Sequence, residues 1–141
     1  FRYVGIDTKV FTPFSCGSMT QLFSKDDVIS LMNSGGVAFL AGGTGHPYFS
    51  TDTATVLRAV ELDCDIILMA RAVDGVYDCD PKKYDKISIK EVLDKKLGVI
   101  DLTAACLSID NKMPMLIFGL SEENCIVKAA QGKSNGTIVT V

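Results

Sequence analysis

Short apolar runs and stretches with helical spacing alternate along this chain. Three continuous apolar runs predict buried strands, and a weaker run of alternating apolar and polar residues predicts a fourth strand at the C-terminus. These runs cover residues 37–41, 66–69, 115–118 and 137–141. Strands that alternate with helices at this spacing are typical of βαβ units, so we predict an α/β fold with a mostly parallel sheet covered on both faces.

The helical stretches carry apolar residues on one face, and most are preceded by residues that cap helix N-termini. They cover residues 26–33, 53–62, 102–109 and 122–130, with a further short helix after Ser88. The candidate caps are Ser50, Thr51 or Asp52, then Ser88 in a capping-box pattern with Glu91, then Asp101 and Ser121. Because ligands bind beyond the carboxyl ends of parallel strands, we expect a site in the loops after residues 41 and 69.

The loop after the first strong strand is rich in glycine and leads into a helix. It contains Gly42-Gly-Thr-Gly45 and continues to Ser50 and Thr51 at the predicted helix start. Glycines allow positive φ and bring backbone N–H groups close to an anion, while hydroxyl groups and the helix dipole add favourable partial charge. A phosphate site and a tight turn required only by sterics explain this pattern equally well.

The other side chains of this loop do little to decide between a phosphate site and a plain turn. Asp52 is an ordinary cap residue; beside a phosphate it needs a compensating donor or a metal, and it could also orient a substrate hydroxyl group. His46 is the only histidine, which excludes a metal cluster built on histidines. Pro47, Tyr48 and Phe49 supply an apolar wall that packs either on a base or on the domain core.

The loop after the second strand combines one cation, one aromatic ring and several carboxylates. These residues are Arg71, Tyr77, Asp74, Asp78 and Asp80. Such a set suits a nucleotide, with an aromatic ring for the base, arginine for a phosphate and carboxylates for Mg²⁺ or ribose. A solvated acidic turn is the simpler interpretation of this loop taken alone.

Composition and charge exclude several classes of partner. At 141 residues, with 48% hydrophobic and 22% charged residues, the chain has the balance of one ordinary globular domain. The net charge of -3 argues against nucleic acid, and no apolar run reaches the ~20 residues that span a bilayer. Five scattered cysteines with no close pair indicate reduced thiols in the cytoplasm, not disulfides or a zinc site.

Together, the two loops resemble one family. Gly42-Gly-Thr-Gly-His-Pro-Tyr-Phe-Ser-Thr-Asp-Thr-Ala54, then Val73-Asp-Gly-Val-Tyr-Asp-Cys-Asp-Pro81 and Val99-Ile-Asp-Leu-Thr-Ala104 are similar to bacterial uridylate (UMP) kinases in order and spacing. These enzymes belong to the amino-acid-kinase superfamily. The resemblance runs from Gly36 to the C-terminus, and residues 5–9 look like the preceding strand, whereas residues 13–31 follow the pattern poorly.

The resemblance implies a three-layer αβα sandwich, the C-terminal part of an amino-acid-kinase fold, that transfers the γ-phosphoryl group of ATP to UMP with Mg²⁺. The residues implied to contact UMP are Gly43, Thr44, Gly45, His46, Pro47, Tyr48, Phe49, Ser50, Thr51 and Asp52. Those implied to line the ATP site are Arg71, Tyr77 and Asp80, and the implied catalytic acidic residues are Asp80 and Asp101. The family also forms hexamers, and GTP and UTP are its candidate effectors.

Departures from the family pattern leave other hypotheses open. His46 replaces the usual Asn, and Met69-Ala-Arg-Ala72 replaces Lys-Ala-Thr-Lys, so Arg71 either substitutes as a phosphate ligand or obstructs the site. The lysine, glycine and Asp-Arg motifs of the family's N-terminal half do not occur in this sequence, so we expect the isolated chain to be inactive. The alternatives are a noncatalytic nucleotide-binding or regulatory module, and a kinase of the same superfamily for another small acceptor, which residues 44–52 argue against.

Overall fold

Strands and helices alternate along most of the chain. The computed structural model describes residues 1–78 and 82–141. Its strands are β1 (Thr8–Thr12), β2 (Gln21–Leu22), β3 (Val37–Leu40), β4 (Ile67–Arg71), β5 (Lys86–Ser88), β6 (Met115–Gly119) and β7 (Thr137–Thr140). Its helices are α1 (Lys25–Asn33), α2 (Thr51–Glu61), α3 (Ile89–Asp94), α4 (Leu102–Asp110) and α5 (Cys125–Ala130), with a 3-10 turn at Arg2–Val4.

The strands form two sheets. In the first sheet β1 lies between β2 and β3, and both pairs are parallel. In the second sheet the order is β4-β6-β7-β5, with parallel pairs β4–β6 and β5–β7 and an antiparallel pair β6–β7. The α/β class with mostly parallel pairing is therefore confirmed, although the strands divide between two sheets that α2 connects.

Helices cover both faces of the second sheet. On one face α2, α3 and α4 pack over Met115 and Ile117, which are fully buried. On the other face α5 packs against Leu116 and Phe118 of the same strand. Because successive side chains of a strand point to opposite faces, β6 contributes to both cores, and its continuous apolar run follows from that position. The result is the helix–sheet–helix layering expected from the sequence.

A smaller core joins the first sheet to α1 and to the end of α2. Phe11 of β1 packs with Val28 and Leu31 of α1 and with Leu62 at the end of α2. The N-terminus of α1 is capped by Ser24, whose hydroxyl oxygen accepts a hydrogen bond from the Asp27 N–H. This core holds the β3–α2 loop in place, because it anchors both the strand before that loop and the helix after it.

The helix starts follow the capping signals of the sequence with one exception. The predicted caps that accept a hydrogen bond from the backbone N–H three residues on are Ser50, Ser88 and Asp101. The prediction of a helix over residues 122–130 capped by Ser121 is wrong at its start, because α5 begins only after Asn124. Asn124 has φ 59°, in the left-handed region, so the chain turns here instead of forming a first helical turn.

The predicted strands are present, with small shifts at their ends. The resemblance at residues 5–9 corresponds to β1, which begins at Thr8. Strand β4 continues to Arg71 instead of ending at residue 69, which makes Arg71 the last residue of the strand. No pattern in the sequence predicts β2 or β5, because 2 and 3 residues are too few to show a periodicity.

The described cysteines are free thiols, namely Cys16, Cys64, Cys106 and Cys125, while Cys79 lies outside the described residues. Burial raises the pKa of Cys64, and the neighbouring carboxylates of Asp65 and Asp63 raise it further. That thiol is therefore protonated and a poor nucleophile at neutral pH. In the part of the chain that the structure describes, no helix is both long enough and apolar enough to cross a membrane.

Candidate functional site

The glycine-rich loop after β3 is folded tightly against the segment that follows β1. Gly42 and Gly45 have φ values of 88° and 79°, in the left-handed region that favours glycine. A Cβ on Gly45 would lie 2.9 Å from the Cβ of Pro13, and one on Gly42 would lie 3.1 Å from the Cδ of Pro13. The turn itself and its close approach to Pro13 therefore both require these glycines.

Gly43 differs from its neighbours because its outer side is open. Its φ is 65°, and no heavy atom lies within 4 Å of the position that a Cβ would take. The next residue, Thr44, stabilises the loop by accepting a hydrogen bond from the His46 N–H at 3.2 Å. A ligand therefore has room to approach the loop on this side of Gly43.

The aromatic residues of the loop do not pack on the core. Tyr48 is fully exposed, and Phe49 is 52% exposed. Tyr48 also has φ 69°, which is uncommon for a residue with a large side chain and often marks a functional loop. Of the two roles that the sequence left open for this apolar wall, the structure excludes packing on the domain core.

Replacing Gly45 with alanine is expected to lower the free energy of unfolding by about 2 kcal/mol, through the left-handed backbone and the contact with Pro13. Gly43→Ala is the matched control, because it adds the same methyl group at a similar φ but in open space. This control should cost only about 1 kcal/mol. Urea unfolding followed by circular dichroism measures both, and equal losses would show that the contact with Pro13 contributes nothing.

An ion pair joins the start of α2 to the end of β4. An Arg71 Nη atom lies 2.5 Å from a carboxylate oxygen of Asp52 and donates to the Val99 carbonyl oxygen at 3.2 Å. The Nε of Arg71 is buried and has no hydrogen-bond partner among the described residues. Asp52 in the first turn of α2 would repel a phosphate, and Arg71 supplies the compensating donor that this position needs.

Asp101 forms a second link to the start of α2. Its carboxylate caps α4 by accepting a hydrogen bond from the Ala104 N–H at 2.9 Å, and it also accepts from the hydroxyl groups of Ser50 and, at 3.3 Å, Thr53. Burial alone would raise the pKa of Asp101, but the hydrogen bonds from Ser50, Ala104 and Thr53 outweigh it and lower this pKa. Asp101 is therefore ionised at neutral pH and holds the N-termini of α2 and α4 together.

A cleft of about 490 Å³ opens beside the ion pair. Its walls come from the end of β4 and from the loops after β4 and α3, and they include Arg71, Gly75, Tyr77, Gly98 and Val99. A cavity of this size accommodates part of a nucleotide. The structure thus brings Arg71 and Tyr77, both expected at an ATP site, to one cavity, and Arg71 connects this cavity to the loop expected to contact UMP.

Tyr77 is held in this wall by its own loop. Its hydroxyl group donates to Asp74 Oδ1 at 2.6 Å, and Lys83 Nζ lies 3.2 Å from Oδ2 of the same carboxylate. Hydrogen bonds from Tyr77 and Lys83 lower the pKa of Asp74, and the bond to Asp74 raises the pKa of Tyr77. The carboxylate of Asp74 is therefore occupied by contacts within its own loop. The ring of Tyr77, which is 38% exposed, stays accessible to a base.

The acidic residues of the site that the structure describes do not form a metal centre by themselves. Asp80, expected as a catalytic and ATP-binding residue, lies outside the described residues. Within residues 1–78 and 82–141, no three His, Cys, Asp or Glu side chains converge as metal ligands would. Asp52 and Asp101 are each engaged by protein donors. The described residues alone therefore do not fit a preformed Mg²⁺ site.

Sequence reasoning missed the partners that tie these loops together. Asp101 lies 51 residues from Ser50, and Arg71 lies 19 residues from Asp52. No local pattern encodes contacts over such separations. One signal was available for the ion pair, because an aspartate beside a phosphate needs a donor and Arg71 is the nearest arginine that follows a predicted strand.

Comparison of the sequence with known proteins gives consistent matches. Residues 1–119 match the model described as the amino acid kinase family. The uridylate kinase of Pseudomonas putida is 40% identical over 140 residues, which are 95% of this chain and 57% of that protein. That of Acinetobacter baylyi is 39% identical over 141 residues, which are 96% of this chain and 58% of that protein. The chain thus spans less than two thirds of the length of these curated relatives.

Solved structures share the fold over nearly the whole chain. The match to the UMP kinase from Ureaplasma parvum has a TM-score of 0.93 at 33% identity, and it covers 99% of this chain and 62% of the Ureaplasma chain. The UMP kinase from Bacillus anthracis has a TM-score of 0.90 at 27% identity and covers 96% of this chain and 58% of that one. The likeness therefore includes residues 13–31, where the motif pattern is poor.

Proposed function

The chain belongs to the amino acid kinase family, and we propose that it provides the acceptor loop and part of the ATP cleft of a cytoplasmic UMP kinase. The reaction is the Mg²⁺-dependent transfer of the γ-phosphoryl group of ATP to UMP, giving ADP and UDP in pyrimidine nucleotide biosynthesis. Similarity to curated uridylate kinases supports the choice of substrates. Hexameric assembly and responses to GTP and UTP, which the resemblance implies, belong to the same proposal.

The observation that supports this function best is the contact between two loops expected to bind different substrates. Asp52 belongs to the loop assigned to UMP, and Arg71 lines the cleft assigned to ATP. Their side chains meet at 2.5 Å. Phosphoryl transfer requires the donor and acceptor phosphates to be brought together and aligned, and a loop and a cleft that share an ion pair meet that requirement.

The roles of the individual residues follow from this arrangement. We assign the open side of Gly43 and the N-terminus of α2 to the UMP phosphate, and Arg71 to the ATP phosphates. In the reaction the bond between the γ-phosphorus and the ADP oxygen breaks as a bond to a UMP phosphate oxygen forms. Asp101 acts as a positioning residue, because it holds Ser50 and thereby the start of α2. When bound, Mg²⁺ neutralises phosphate charge.

Arg71 must change partners to serve as a phosphate ligand. Its guanidinium group is paired with Asp52, and its Nε is buried without a partner in the described structure. A buried donor without an acceptor costs about 1–3 kcal/mol, so the present arrangement does not satisfy Arg71 fully. The triphosphate of ATP carries more negative charge than one carboxylate and accepts bidentate bonds, so it competes effectively with Asp52 for this cation.

Calorimetric titration of the chain with ATP and with UMP tests the proposal. We expect both to bind, and we expect Arg71→Gln to weaken ATP binding about tenfold through the loss of one charge-assisted contact. Asp52→Asn should strengthen ATP binding, because it frees Arg71. Arg2→Gln is the matched control, because Arg2 donates to the Thr8 carbonyl oxygen and belongs neither to the lining of the cleft nor to the glycine-rich loop.

The outcomes of this experiment separate the possible roles of Arg71. If Arg71→Gln binds ATP more tightly than the parent chain, Arg71 obstructs the cleft and is no phosphate ligand. If neither ATP nor UMP binds the chain, the nucleotide proposal fails. A coupled assay for ADP formation completes the test, and we expect no turnover from the isolated chain.

A noncatalytic nucleotide-binding module is the second candidate function. The surroundings of Arg71 favour this candidate. The neighbouring residues in the chain are the apolar Ala70 and Ala72, and the Met69 Sδ lies 3.1 Å from the guanidinium group. Arg71 is therefore the one cation that β4 contributes to the cleft. Binding of ATP without turnover, even when the remaining length of the relatives is supplied, would establish this candidate.

A further inference from the structure

Two separate loops line the cleft that we propose to bind ATP. Tyr77 belongs to the first loop, and residues 97–99 belong to the second. The first loop contains two short antiparallel segments, residues 76–78 and 82–84, which we call the Tyr77 arm. Tyr77 of the first segment pairs with Lys83 of the second. The relative position of the arm and of residues 97–99 therefore sets the width of the cleft.

The second loop follows directly from the end of helix α3. The Lys96 N–H donates to the Leu93 carbonyl oxygen at 3.0 Å. The Leu97 N–H donates to the Val92 carbonyl oxygen at 3.1 Å. With Lys96 at φ 53°, in the left-handed region, these two bonds form a Schellman motif. Residues 97–99 thus start from a fixed helix end, and a side chain at that end has a defined position relative to this part of the cleft.

Lys95, at the C-terminal end of α3, contacts the Tyr77 arm. Its Nζ donates to the Tyr84 hydroxyl oxygen at 2.7 Å and lies 3.9 Å from Asp78 Oδ2. The Tyr84 hydroxyl group in turn donates to the same Asp78 oxygen at 2.7 Å. The ammonium group also lies 5.0 Å from the centroid of the Tyr84 ring, within range of a cation–π interaction. Because Tyr84 and Asp78 both belong to the arm, one side chain links the two loops of the cleft.

Glu91 holds Lys95 in this position. Its carboxylate lies 2.7 Å from Lys95 Nζ, one helical turn earlier on α3. The hydrogen bonds to Glu91 and then to Tyr84 raise the pKa of Lys95, so its ammonium group is charged at neutral pH. The Lys95 side chain is 40% exposed, and exposed ion pairs add little to global stability. The network therefore affects the position of the arm more than the stability of the fold.

We propose that Lys95 is a positioning residue for ATP, because it ties the Tyr77 arm to the end of α3 and so fixes the two loops between which the nucleotide binds. The inference rests on the proposed function, since it takes the cleft to be the ATP site. Lys95 stands outside the lining of the cleft and acts through the arm that carries Tyr77. An arm that is held in place needs no further ordering when ATP binds. Loss of the link lowers the fraction of molecules that can bind.

Calorimetric titration and hydrogen exchange of the unliganded chain test this role. Lys95→Met keeps most of the side-chain length but removes the ammonium group. We expect it to weaken ATP binding about fivefold, to leave UMP binding unchanged and to lower the melting temperature by less than about 3 °C. The Tyr84 N–H, which donates to the Val76 carbonyl oxygen, should exchange about fivefold faster, while amides of β6 should not change. Lys95→Arg, which keeps the charge, should restore most of the affinity.

Tyr84→Phe tests how the effect reaches the cleft without changing the charge. Phenylalanine keeps the ring but lacks the hydroxyl group that bridges Lys95 and Asp78. If Lys95 acts through Tyr84, the double variant should bind ATP about as weakly as Lys95→Met alone. Lys90→Met is the matched control, because it removes the same charge from an exposed position of α3. This control should leave both ATP binding and hydrogen exchange unchanged.

The outcomes separate this role from a direct one and from the proposed function. Equal weakening of ATP binding by Lys95→Met and Lys90→Met would reduce the effect to net charge and overturn the proposal. Weaker binding without faster exchange would mean that Lys95 contacts the nucleotide itself, which also overturns it. Unchanged exchange and affinity would show that the link has no effect. If the parent chain binds no ATP, the proposed function fails, while the exchange comparison still decides whether Lys95 holds the arm.

Discussion

Replacing Thr137 with valine is expected to lower the free energy of unfolding by about 3–4 kcal/mol. Thr137 is fully buried at the start of β7. Its Oγ1 accepts a hydrogen bond from the Val76 N–H at 2.9 Å and donates one to the Tyr84 carbonyl oxygen at 2.5 Å. Valine keeps the shape of the side chain but leaves both backbone groups without a partner, and each such group costs about 1–3 kcal/mol.

Thr140→Val is the matched control for this substitution. It makes the same change on the same strand, but the Thr140 hydroxyl group makes only a long hydrogen bond, 3.4 Å, to the Ile87 carbonyl oxygen. We expect a loss below about 1 kcal/mol for this control, measured by urea unfolding at neutral pH. If Thr137→Val costs no more than Thr140→Val, the two hydrogen bonds of Thr137 do not stabilise the fold.

Thr137 also explains why residue 75 is a glycine, in the loop that lines the cleft proposed to bind ATP. A Cβ on Gly75 would lie 2.7 Å from Thr137 Oγ1 and 2.9 Å from the Cδ of Lys83. Gly75 is therefore needed for close packing, where the dipeptide Asp74-Gly75 alone indicates only a turn. Thr137 thus anchors the loop that carries Tyr77, and we expect Thr137→Val to disturb the cleft as well as the core.

Much of the fold could be predicted because its elements are encoded locally. The apolar run of β6 is continuous because both faces of that strand are covered, and the capping residues of α2, α3 and α4 act within three positions. The division into two sheets could not be predicted, because a periodicity shows which residues are buried and not which strands pair. The start of α5 was missed because Asn124 adopts a positive φ that a good helix-capping sequence does not reveal.

The candidate site could be predicted residue by residue but not as an arrangement. The sequence indicated the loop around Gly43, the cation Arg71 and the cap Asp101, each from its neighbours in the chain. The contacts of Asp52 with Arg71 and of Ser50 with Asp101 depend on the packing of α2 across the second sheet. Long-range packing, and not local propensity, therefore turns separate polar residues into a possible binding site.

Replacing Asp101 with alanine is expected to lower the free energy of unfolding by about 2–3 kcal/mol. The loss has two parts, the cap of α4 at Ala104 and the acceptor for the hydroxyl groups of Ser50 and Thr53. Thr53 is only 5% exposed, so its hydroxyl group cannot turn to water in compensation. Because Ser50 caps α2, we also expect weaker UMP binding, measured by calorimetry beside the unfolding experiment.

Asp101→Asn separates the charge of this residue from its shape, because asparagine is an equally good helix cap but carries no charge. The pKa of Asp101 is lowered in the folded protein, from an ordinary value of about 3.9. Its charge therefore contributes to stability above that pH, and the contribution is lost as the pH falls through the folded pKa. We expect the free energy of unfolding of the parent chain to exceed that of Asp101→Asn by about 1 kcal/mol at pH 7, and this difference to shrink as the pH falls from about 3.9 through the lowered folded pKa. A difference that stays constant in urea unfolding over this pH range would rule out an electrostatic origin.

The same variant shows whether Asp101 contacts the ligand. If Asp101 acts only by positioning Ser50, the loss of UMP-binding free energy in Asp101→Asn should not exceed the loss of unfolding free energy. A much larger loss of binding free energy would mean that the carboxylate contacts the ligand itself.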